Sequence, residues 1–426
     1  NNSYYNYGKN GLKLDNFDEI TAVHLISNTY GFKIWLIESD SLKSDLLNKI
    51  ANKIYNTNVL EYCLLLFTNT NYTDLIFVHY FKENKDKLKI RKLNIEDGKF
   101  TRTDLDIINS LSLINKSIED DTEIELECRK AFDIEKVTKS FFDSFKNEID
   151  YLTNNISGLD NNEHKKNYSV LLLSRMIFLY FIQKRKWLHG KKDFLYDRFL
   201  YCENNKLNYY KEILEPLFFD CLNTPMDCGI IQNRSTRAKK LLENFESQTD
   251  IPCDSQYVGI PYLNGGLFEK HHLYETNTNI EIANNVFKRL FENLLEKYNF
   301  TVKEDIGYDS DIAVDPELLG RIFENMINAE ERSATGSFYT PRPIISHMCK
   351  KSLKEYLIRH LGSKLTLKIN YLIDNVEDDD IYSKERIITV NRETKKRETQ
   401  DCSIYKCSKE EFGKILELIK SVKICD

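Results

Sequence analysis

The residue pattern with the clearest chemical potential is the hexapeptide at 336–341, which reads Gly-Ser-Phe-Tyr-Thr-Pro. Thr340 is a residue type that caps helices through its hydroxyl, and Pro341 suits the first helical position, so the pattern predicts a helix start there. The unpaired N–H groups of a helix start attract an anion such as a carboxylate, while the rings of Phe338 and Tyr339 could stack on a nucleobase. A capped helix start with packed aromatic rings and no ligand explains the same residues.

Basic residues that could contact nucleic acid occur in three clusters. Lys184, Arg185 and Lys186 precede Lys191 and Lys192, and a second cluster contains Arg234, Arg237, Lys239 and Lys240; the third contains Arg392, Lys395, Lys396 and Arg397. Concentrated Lys and Arg bind phosphates, although a charge run is more often a solvated face. We select Lys184, Arg185, Lys186, Arg234 and Arg237 as the candidate DNA contacts.

A metal-dependent nuclease would place carboxylates and a lysine on neighbouring strands. Glu38, Asp40 and Asp74 lie near predicted strand ends, but no Glu-x-Lys pattern occurs within a strand. The N-terminal region is therefore a nuclease relic, a docking module or, less favoured, an active nuclease. His271 and His272 are expected to point apart and to lack a third ligand, so they predict no metal site.

Two kinds of hydrophobic pattern indicate the elements that position these residues. Strand-like runs rich in β-branched and aromatic residues, with a helix between the first two and turns at 69–71 and 97–98, predict a small α/β module. The predicted strands are 32–37, 62–67, 74–80 and 88–93, and the helix falls within 40–55. From Ala131 onward the spacing is helical, with Asp133 near a helix start.

The predicted helices of this second part are separated by polar stretches. They are 132–152, 170–187, 210–221, 282–298, 316–328, a helix continuing to about Leu361, and 409–419. The Asn-rich stretch 154–167 is expected to interrupt the helices, and the charged stretch 375–399 is expected to be an irregular surface insertion. The last residues, 421–426, are typical of the start of a buried strand.

Composition limits the class of protein. The 426 residues exceed what one core usually holds, and 41% hydrophobic and 12% aromatic residues suffice for two or three globular domains. The apolar runs are too short or too interrupted to span a membrane, and no signal peptide pattern follows Asn1. Ten cysteines without metal-site spacing predict reduced thiols in a cytoplasmic protein. A net charge of −6 argues against a generally basic nucleic-acid coat protein.

The hexapeptide resembles a motif of gamma-arrangement amino-DNA methyltransferases, a group that includes fused type IIG restriction-modification enzymes. Segments 131–138, 175–184 with Trp187 and Leu188, 261–268 and 319–324 resemble the same fused family, in the same order and spacing. The resemblance implies that Phe338, Tyr339, Thr340 and Pro341 contact S-adenosylmethionine, and that Gly336 lets the backbone approach it. The family's glycine-rich cofactor loop is expected to begin at Asp426.

The resemblance implies an α+β fold in three parts. These are a small α/β module at 1–125, a helical domain at 126–330, and the truncated start of a Rossmann-like methyltransferase domain at 331–426. The implied reaction in the intact protein is methyl transfer to adenine N6 in double-stranded DNA, with the target base flipped out of the helix. The 426 residues contain no Asn/Asp-Pro-Pro-aromatic motif, so the fragment alone is expected to be inactive.

The first alternative is a DNA-binding or scaffold subunit of a phage-defence system that has no catalytic activity of its own. It would work with other restriction-modification or defence subunits. A glycine loop followed by a Pro-Pro-aromatic motif beyond Asp426 would favour the enzyme. The second alternative is the active nuclease that would depend on Glu38, Asp40 and Asp74.

Overall fold

The computed structural model places the chain in two compact units, Asn1–Met326 and Ile327–Asp426, called here the N-terminal and C-terminal units. The structure describes residues 5–6, 12–57, 61–82, 88–114, 116–159, 161–223, 260–263, 266–272, 275–276, 279–302, 309–316, 320, 340, 342–374, 386–390, 397–401 and 407–422. Within these residues the fold is mixed α+β. The predicted division at residues 125 and 126 stays a prediction.

The described residues of the N-terminal unit contain a seven-stranded mixed sheet, and its strands lie side by side in sequence order. The strands are β1 (Tyr5–Asn6), β2 (Ile20–Thr29), β3 (Phe32–Ser39), β4 (Cys63–Thr68), β5 (Leu75–Lys82), β6 (Leu88–Ile95) and β7 (Asp309–Asp311). Adjacent strands are antiparallel except for β3 with β4 and β6 with β7. Helix α1 (Ser44–Thr57) connects the parallel pair β3 and β4, as such a pair requires a crossover.

The two faces of the sheet are buried by different partners because side chains alternate along each strand. Trp35, Ile37 and Val78 pack in one apolar cluster with the inner face of α1. Phe32 and Phe77 face the other way and join a larger cluster with the helices that follow. The sheet therefore lies between α1 and a helical layer.

The helical layer is built around two long helices. Its α-helices are α2 (Arg102–Ser110), α3 (Asp121–Ala131), α4 (Ile134–Asn155), α5 (Asn162–Lys184), α6 (Phe194–Asn205) and α7 (Asn284–Leu290), with π-helical turns at Tyr210–Leu214, Pro216–Leu222 and Phe291–Leu295 and a 3₁₀ turn at Gly266–Phe268. Helix α5 is buried along most of its length. A buried hydrogen bond of 3.0 Å between His79 Nε2 and Glu125 Oε2 joins the sheet to α3.

Local sequence sets several of these helix starts. The Asp133 side chain accepts a hydrogen bond from the Glu135 N–H at 3.0 Å and caps α4, which confirms its predicted position at the start of this helix. Helix α5 begins at Asn162, eight residues before the predicted Val170, because Asn161 caps it by accepting from the Glu163 N–H at 2.8 Å. The expected interruption at 154–167 is thus shorter than predicted, since asparagine favours helix caps as well as loops.

The C-terminal unit contains helices α8 (Arg342–Leu361), α9 (Thr366–Asp374) and α10 (Lys409–Ser421), a 3₁₀ turn at Ser363–Leu365, and strands β8 (Arg386–Val390) and β9 (Arg397–Asp401). Helix α8 ends at Leu361 as predicted. The expectation that 375–399 is irregular is wrong where the structure describes it, since β8 and β9 pair antiparallel. The β-branched run Ile387-Ile388-Thr389-Val390 favours a strand, and the surrounding charges obscured that signal. Most of the predicted helix 316–328, and residues 423–426, lie outside the described residues.

Two global expectations can be compared with the described residues. None of the helices there is long and apolar enough to cross a membrane. The six cysteines described are free thiols, of which Cys63, Cys128, Cys202 and Cys221 are buried. Burial raises the pKa of the Cys63 and Cys128 thiols to about 12, so these two are poor nucleophiles.

Candidate functional site

The predicted cofactor motif leads directly into a helix. Thr340 is exposed, and α8 begins at Arg342, so a helix follows the motif as predicted, while the capping bond of Thr340 stays a prediction. The first turns of α8 expose three apolar side chains, with Ile344 at 51%, Ile345 at 39% and Met348 at 58%. The other predicted cofactor residues, which are Gly336, Phe338, Tyr339, Pro341 and Asp426, lie outside the described residues.

The first basic cluster forms an ordered turn after α5. Arg185 and Lys186 are exposed and Lys184 is partly buried. The Lys186 N–H donates to the Gln183 carbonyl at 2.8 Å, and the Trp187 N–H donates to the Ile182 carbonyl at 3.2 Å. Lys186 has a φ of +60°, a left-handed conformation that is uncommon for a residue other than glycine. The turn therefore presents its cations from a fixed backbone. Arg234 and Arg237 lie outside the described residues.

The segments 175–184 and 261–268, far apart in sequence, meet at a buried arginine. The Arg175 side chain, which is fully buried, donates to the Leu267 carbonyl at 2.6 Å and to the Glu269 carbonyl at 2.8 Å. Its two terminal nitrogens also bind the Glu275 carboxylate at 2.6 and 3.0 Å. Glu275 in turn accepts from the His271 N–H at 2.9 Å. This closed group of hydrogen bonds joins Leu267, Glu269 and Glu275 to α5.

The closed group gives both of these segments a structural role that needs no ligand. Arg175 lies over the rings of Phe218 and Phe219, and Phe268 packs against Phe178 and Phe218. The prediction that 175–187 is a core helix is confirmed as far as its helical part, which ends at Lys184. Sequence reasoning missed Glu275, although a buried arginine calls for an acidic partner.

The adjacent histidines do not point apart as expected. The rings of His271 and His272 are stacked, with centroids 4.9 Å apart and an interplanar angle of 18°. The expectation assumed a regular backbone, whereas the chain here turns, with the His271 N–H bonded to the Glu275 carboxylate. Among the described residues no group of three His, Cys, Asp or Glu side chains is arranged to hold a metal ion.

The carboxylates considered for a nuclease lie at one end of the sheet but in separate hydrogen-bond networks. Glu38 pairs in register with Thr68, which pairs with Leu75, so Glu38 and Asp74 are two strands apart. Glu38 accepts from the Tyr72 hydroxyl at 2.8 Å, while Asp74 accepts from the Asp97 N–H at 2.9 Å. Local bonds occupy both carboxylates.

A feature that sequence reasoning missed is a pair of adjoining cavities, of which the smaller lies beside the helical layer and the larger lies beside α1. Their volumes are about 240 and 310 Å³, and they share Asn94, Glu96, Asp97 and Lys192 in their walls. The turn Asp97-Gly98 positions this wall: both residues have positive φ, and the Lys99 N–H donates to the Glu96 carbonyl at 2.9 Å. The turn predicted at 97–98 is therefore confirmed, and it has the geometry of a two-residue hairpin turn.

The smaller cavity contains an unusual carboxylate, Asp104. It is 1% exposed, and its Oδ2 accepts from the Thr101 N–H at 2.8 Å, while its Oδ1 has no hydrogen-bond partner among the described residues. Burial raises the pKa of Asp104 above its ordinary value, against the opposing effect of the Thr101 hydrogen bonds. The Thr-x-x-Asp pattern at 101–104 signals a helix cap, and only the fold shows that it faces a cavity.

One comparison with known proteins finds a similar protein. The chain is similar to a Methanocaldococcus jannaschii protein named "Putative type II restriction enzyme and methyltransferase". The two are 27% identical over 407 residues, which cover 84% of this chain and 32% of that protein. The chain therefore spans about a third of the length of this relative. No protein-family model matches the chain, and no solved structure gives a significant match.

Proposed function

We propose that the chain is the N-terminal part of a site-specific DNA adenine-N6 methyltransferase of a restriction-modification system, which uses S-adenosylmethionine. The similarity to a protein named as a restriction enzyme and methyltransferase supports the general activity. The adenine specificity rests on the resemblance of residues 336–341 to the gamma-arrangement motif. The 426 residues lack the Pro-Pro-aromatic catalytic motif, so on this proposal they do not transfer methyl groups alone.

The observation that carries the proposal is the position of the motif at the start of α8. The helix begins at Arg342, directly after Thr340 and Pro341, so the positive end of the helix dipole lies beside the two aromatic residues in sequence. The exposed side chains of Ile344, Ile345 and Met348 follow at once. An apolar helix start next to an anion-attracting end suits a wall that covers a nucleoside cofactor with a carboxylate.

The test of the cofactor wall is Tyr339→Ala in the full-length protein. Loss of a stacked ring should weaken S-adenosylmethionine binding by about 1–3 kcal/mol, measured by titration calorimetry. Tyr30→Ala is the matched control, because Tyr30 is 63% exposed in the N-terminal unit. Equal affinity for the Tyr339 variant and the control would refute the assignment.

The DNA surface that we propose is the ordered turn formed by Lys184, Arg185 and Lys186. Arg234 and Arg237 are proposed as further contacts. Cations held by a fixed backbone lose less conformational freedom on binding than flexible ones, which suits contacts with double-stranded DNA phosphates. These contacts position the duplex and do not read its sequence.

The proposed phosphate-binding role of this turn is tested through the salt dependence of DNA binding. Replacing both Arg185 and Lys186 by alanine in the full-length protein should reduce the slope of log affinity against log salt by about 0.9 for each phosphate that is no longer neutralised. Lys53→Ala, at an exposed lysine of α1, is the control. An unchanged slope in the double variant would exclude the turn from the DNA surface.

A further inference from the structure

The adjoining cavities have an excess of negative charge. The smaller one is lined by five carboxylates, Glu96, Asp97, Asp104, Asp193 and Glu296, and by three lysines, Lys99, Lys184 and Lys192. The larger one adds two more carboxylates, Asp74 and Asp311, and one lysine, Lys92. Each cavity therefore has two more carboxylates than lysines, which disfavours a phosphate or another anion as the occupant.

Ion pairs within the walls leave part of this charge uncompensated. Lys99 pairs with Asp193, and Lys192 pairs with Glu96 at 2.5 Å. Within the described part of the chain, Asp104 has neither a salt bridge nor a partner for Oδ1, although it is almost completely buried. A buried carboxylate oxygen without a partner is costly, so its retention points to a cationic ligand that completes it.

A second carboxylate of the smaller cavity belongs to Glu296. It accepts a hydrogen bond from the Tyr180 hydroxyl at 2.5 Å, and part of it is exposed at the cavity surface. Desolvation and the charge of Asp193 raise its pKa, while the Tyr180 hydrogen bond lowers it. Both Asp104 and Glu296 therefore lie where an added positive charge would be favourable.

Apolar and aromatic side chains line the cavities beside polar ones such as Asn94 and Thr301, which favours an organic cation over a hydrated metal ion. Phe100, Phe300 and Val302 line the smaller cavity, and Leu42, Leu47 and Ile76 line the larger one. Aromatic faces attract ammonium groups, and aliphatic walls pack against methylene chains. In the residues that the structure describes, no trio of His, Cys, Asp or Glu is suitably placed for a metal ion.

We propose that these cavities bind a linear aliphatic polyamine, with one ammonium group at Asp104 and Glu296 and a second in the larger cavity. The two cavities adjoin, since Asn94, Glu96, Asp97 and Lys192 line both of them, and on this proposal one flexible chain spans the two. Each ammonium group can donate hydrogen bonds to the carboxylates, while the methylenes between them lie against the apolar walls. The site is separate from the proposed cofactor wall and does not depend on the proposed function.

The test is titration calorimetry of the full 426-residue chain with spermidine at physiological salt. Binding with a defined stoichiometry is expected, and Asp104→Asn should weaken it at least about tenfold, the scale of one charge-assisted hydrogen bond. Asp106→Asn is the matched control, because Asp106 is an exposed residue of the same helix. Its affinity should equal that of the unaltered chain.

Several outcomes would overturn the proposal. Absence of binding, or equal weakening by the two variants, would mean that the cavities hold no specific polyamine. Full competition by equimolar Mg²⁺ would indicate a simple divalent-cation surface. Tighter binding of agmatine than of spermidine would favour a guanidinium group, such as an arginine side chain of a partner. If Asp104→Asn loses binding, an unchanged circular dichroism spectrum will separate loss of the site from loss of the fold.

Discussion

Two of the buried charges of the N-terminal unit, Arg175 and Asp104, have different hydrogen-bond surroundings. At Arg175 each of the three guanidinium nitrogens has an acceptor, and the four acceptors are two carbonyl oxygens and both oxygens of Glu275. At Asp104 one carboxylate oxygen is bonded, and the other is left beside a cavity without a partner in the described residues. A fully paired buried charge indicates a structural join, whereas an incompletely paired one indicates a site.

The largest effect that would sharpen this contrast is expected from Arg175→Met. The substitution preserves volume but leaves the Glu275 carboxylate buried without a cation, so the free energy of unfolding should fall by about 3–5 kcal/mol. Denaturant unfolding followed by tryptophan fluorescence measures it, because the two tryptophans, Trp35 and Trp187, both belong to this unit.

Two companion variants make that result interpretable. Arg185→Met, an exposed arginine just after the same helix, should change stability by no more than about 0.5 kcal/mol. Adding Glu275→Gln to Arg175→Met should recover part of the loss, since the uncompensated charge is then absent. A loss below about 1 kcal/mol for Arg175→Met alone would show that the group is not a structural join.

A second prediction compares two glycines, one at a packed join and one beside the open cavity. Gly158 has a φ of +85°, and a Cβ there would lie 2.0 Å from the Asn279 carbonyl oxygen, whereas Gly98 has a φ of +66° and nothing within 4 Å of an added Cβ. Alanine at Gly98 should cost only the left-handed strain, about 1 kcal/mol. Alanine at Gly158 should cost about 3 kcal/mol or more, because backbone must also move. Equal losses in thermal or denaturant unfolding would contradict the packing difference.

Local pattern was sufficient to predict much of the scaffold. The β-branched runs of β3 to β6, the helical spacing of α1 and the cap at Asp133 are properties of neighbouring residues, so the sequence shows them directly. Strands β1, β2, β7, β8 and β9 and helices α2, α3, α6 and α9 were missed. The π-helical turns at 210–222 and 291–295 were predicted as ordinary helix, because periodicity does not reveal a local change in hydrogen-bond spacing.

The candidate sites also differ in whether their residues are neighbours in the sequence. The motif at 336–341 is contiguous, so its residues could be named before the structure, although most of them lie outside the described residues. The walls of the smaller cavity come from separate segments between Asn94 and Val302, and no spacing in the sequence connects them. Arg175 and Glu275 are likewise joined only by the fold.

The smallest predicted effect is the stability cost of burying an Asp104 carboxylate whose Oδ1 has no hydrogen-bond partner in the described residues. Because burial raises its pKa in the folded state, Asp104 contributes stability that is fully present below its unfolded value of about 3.8 and is lost as the pH rises through the raised folded value. At neutral pH the unaltered chain therefore carries a charge penalty that asparagine lacks, while the Asn oxygen can still accept from the Thr101 N–H.

Asp104→Asn should raise the free energy of unfolding at pH 7 by about 1 kcal/mol, and its advantage should shrink towards about pH 4. Denaturant unfolding across this pH range, with Asp106→Asn as control, measures the difference. A variant less stable than the unaltered chain at every pH would mean that Asp104 is a structural join like Arg175, and that its free oxygen marks no site.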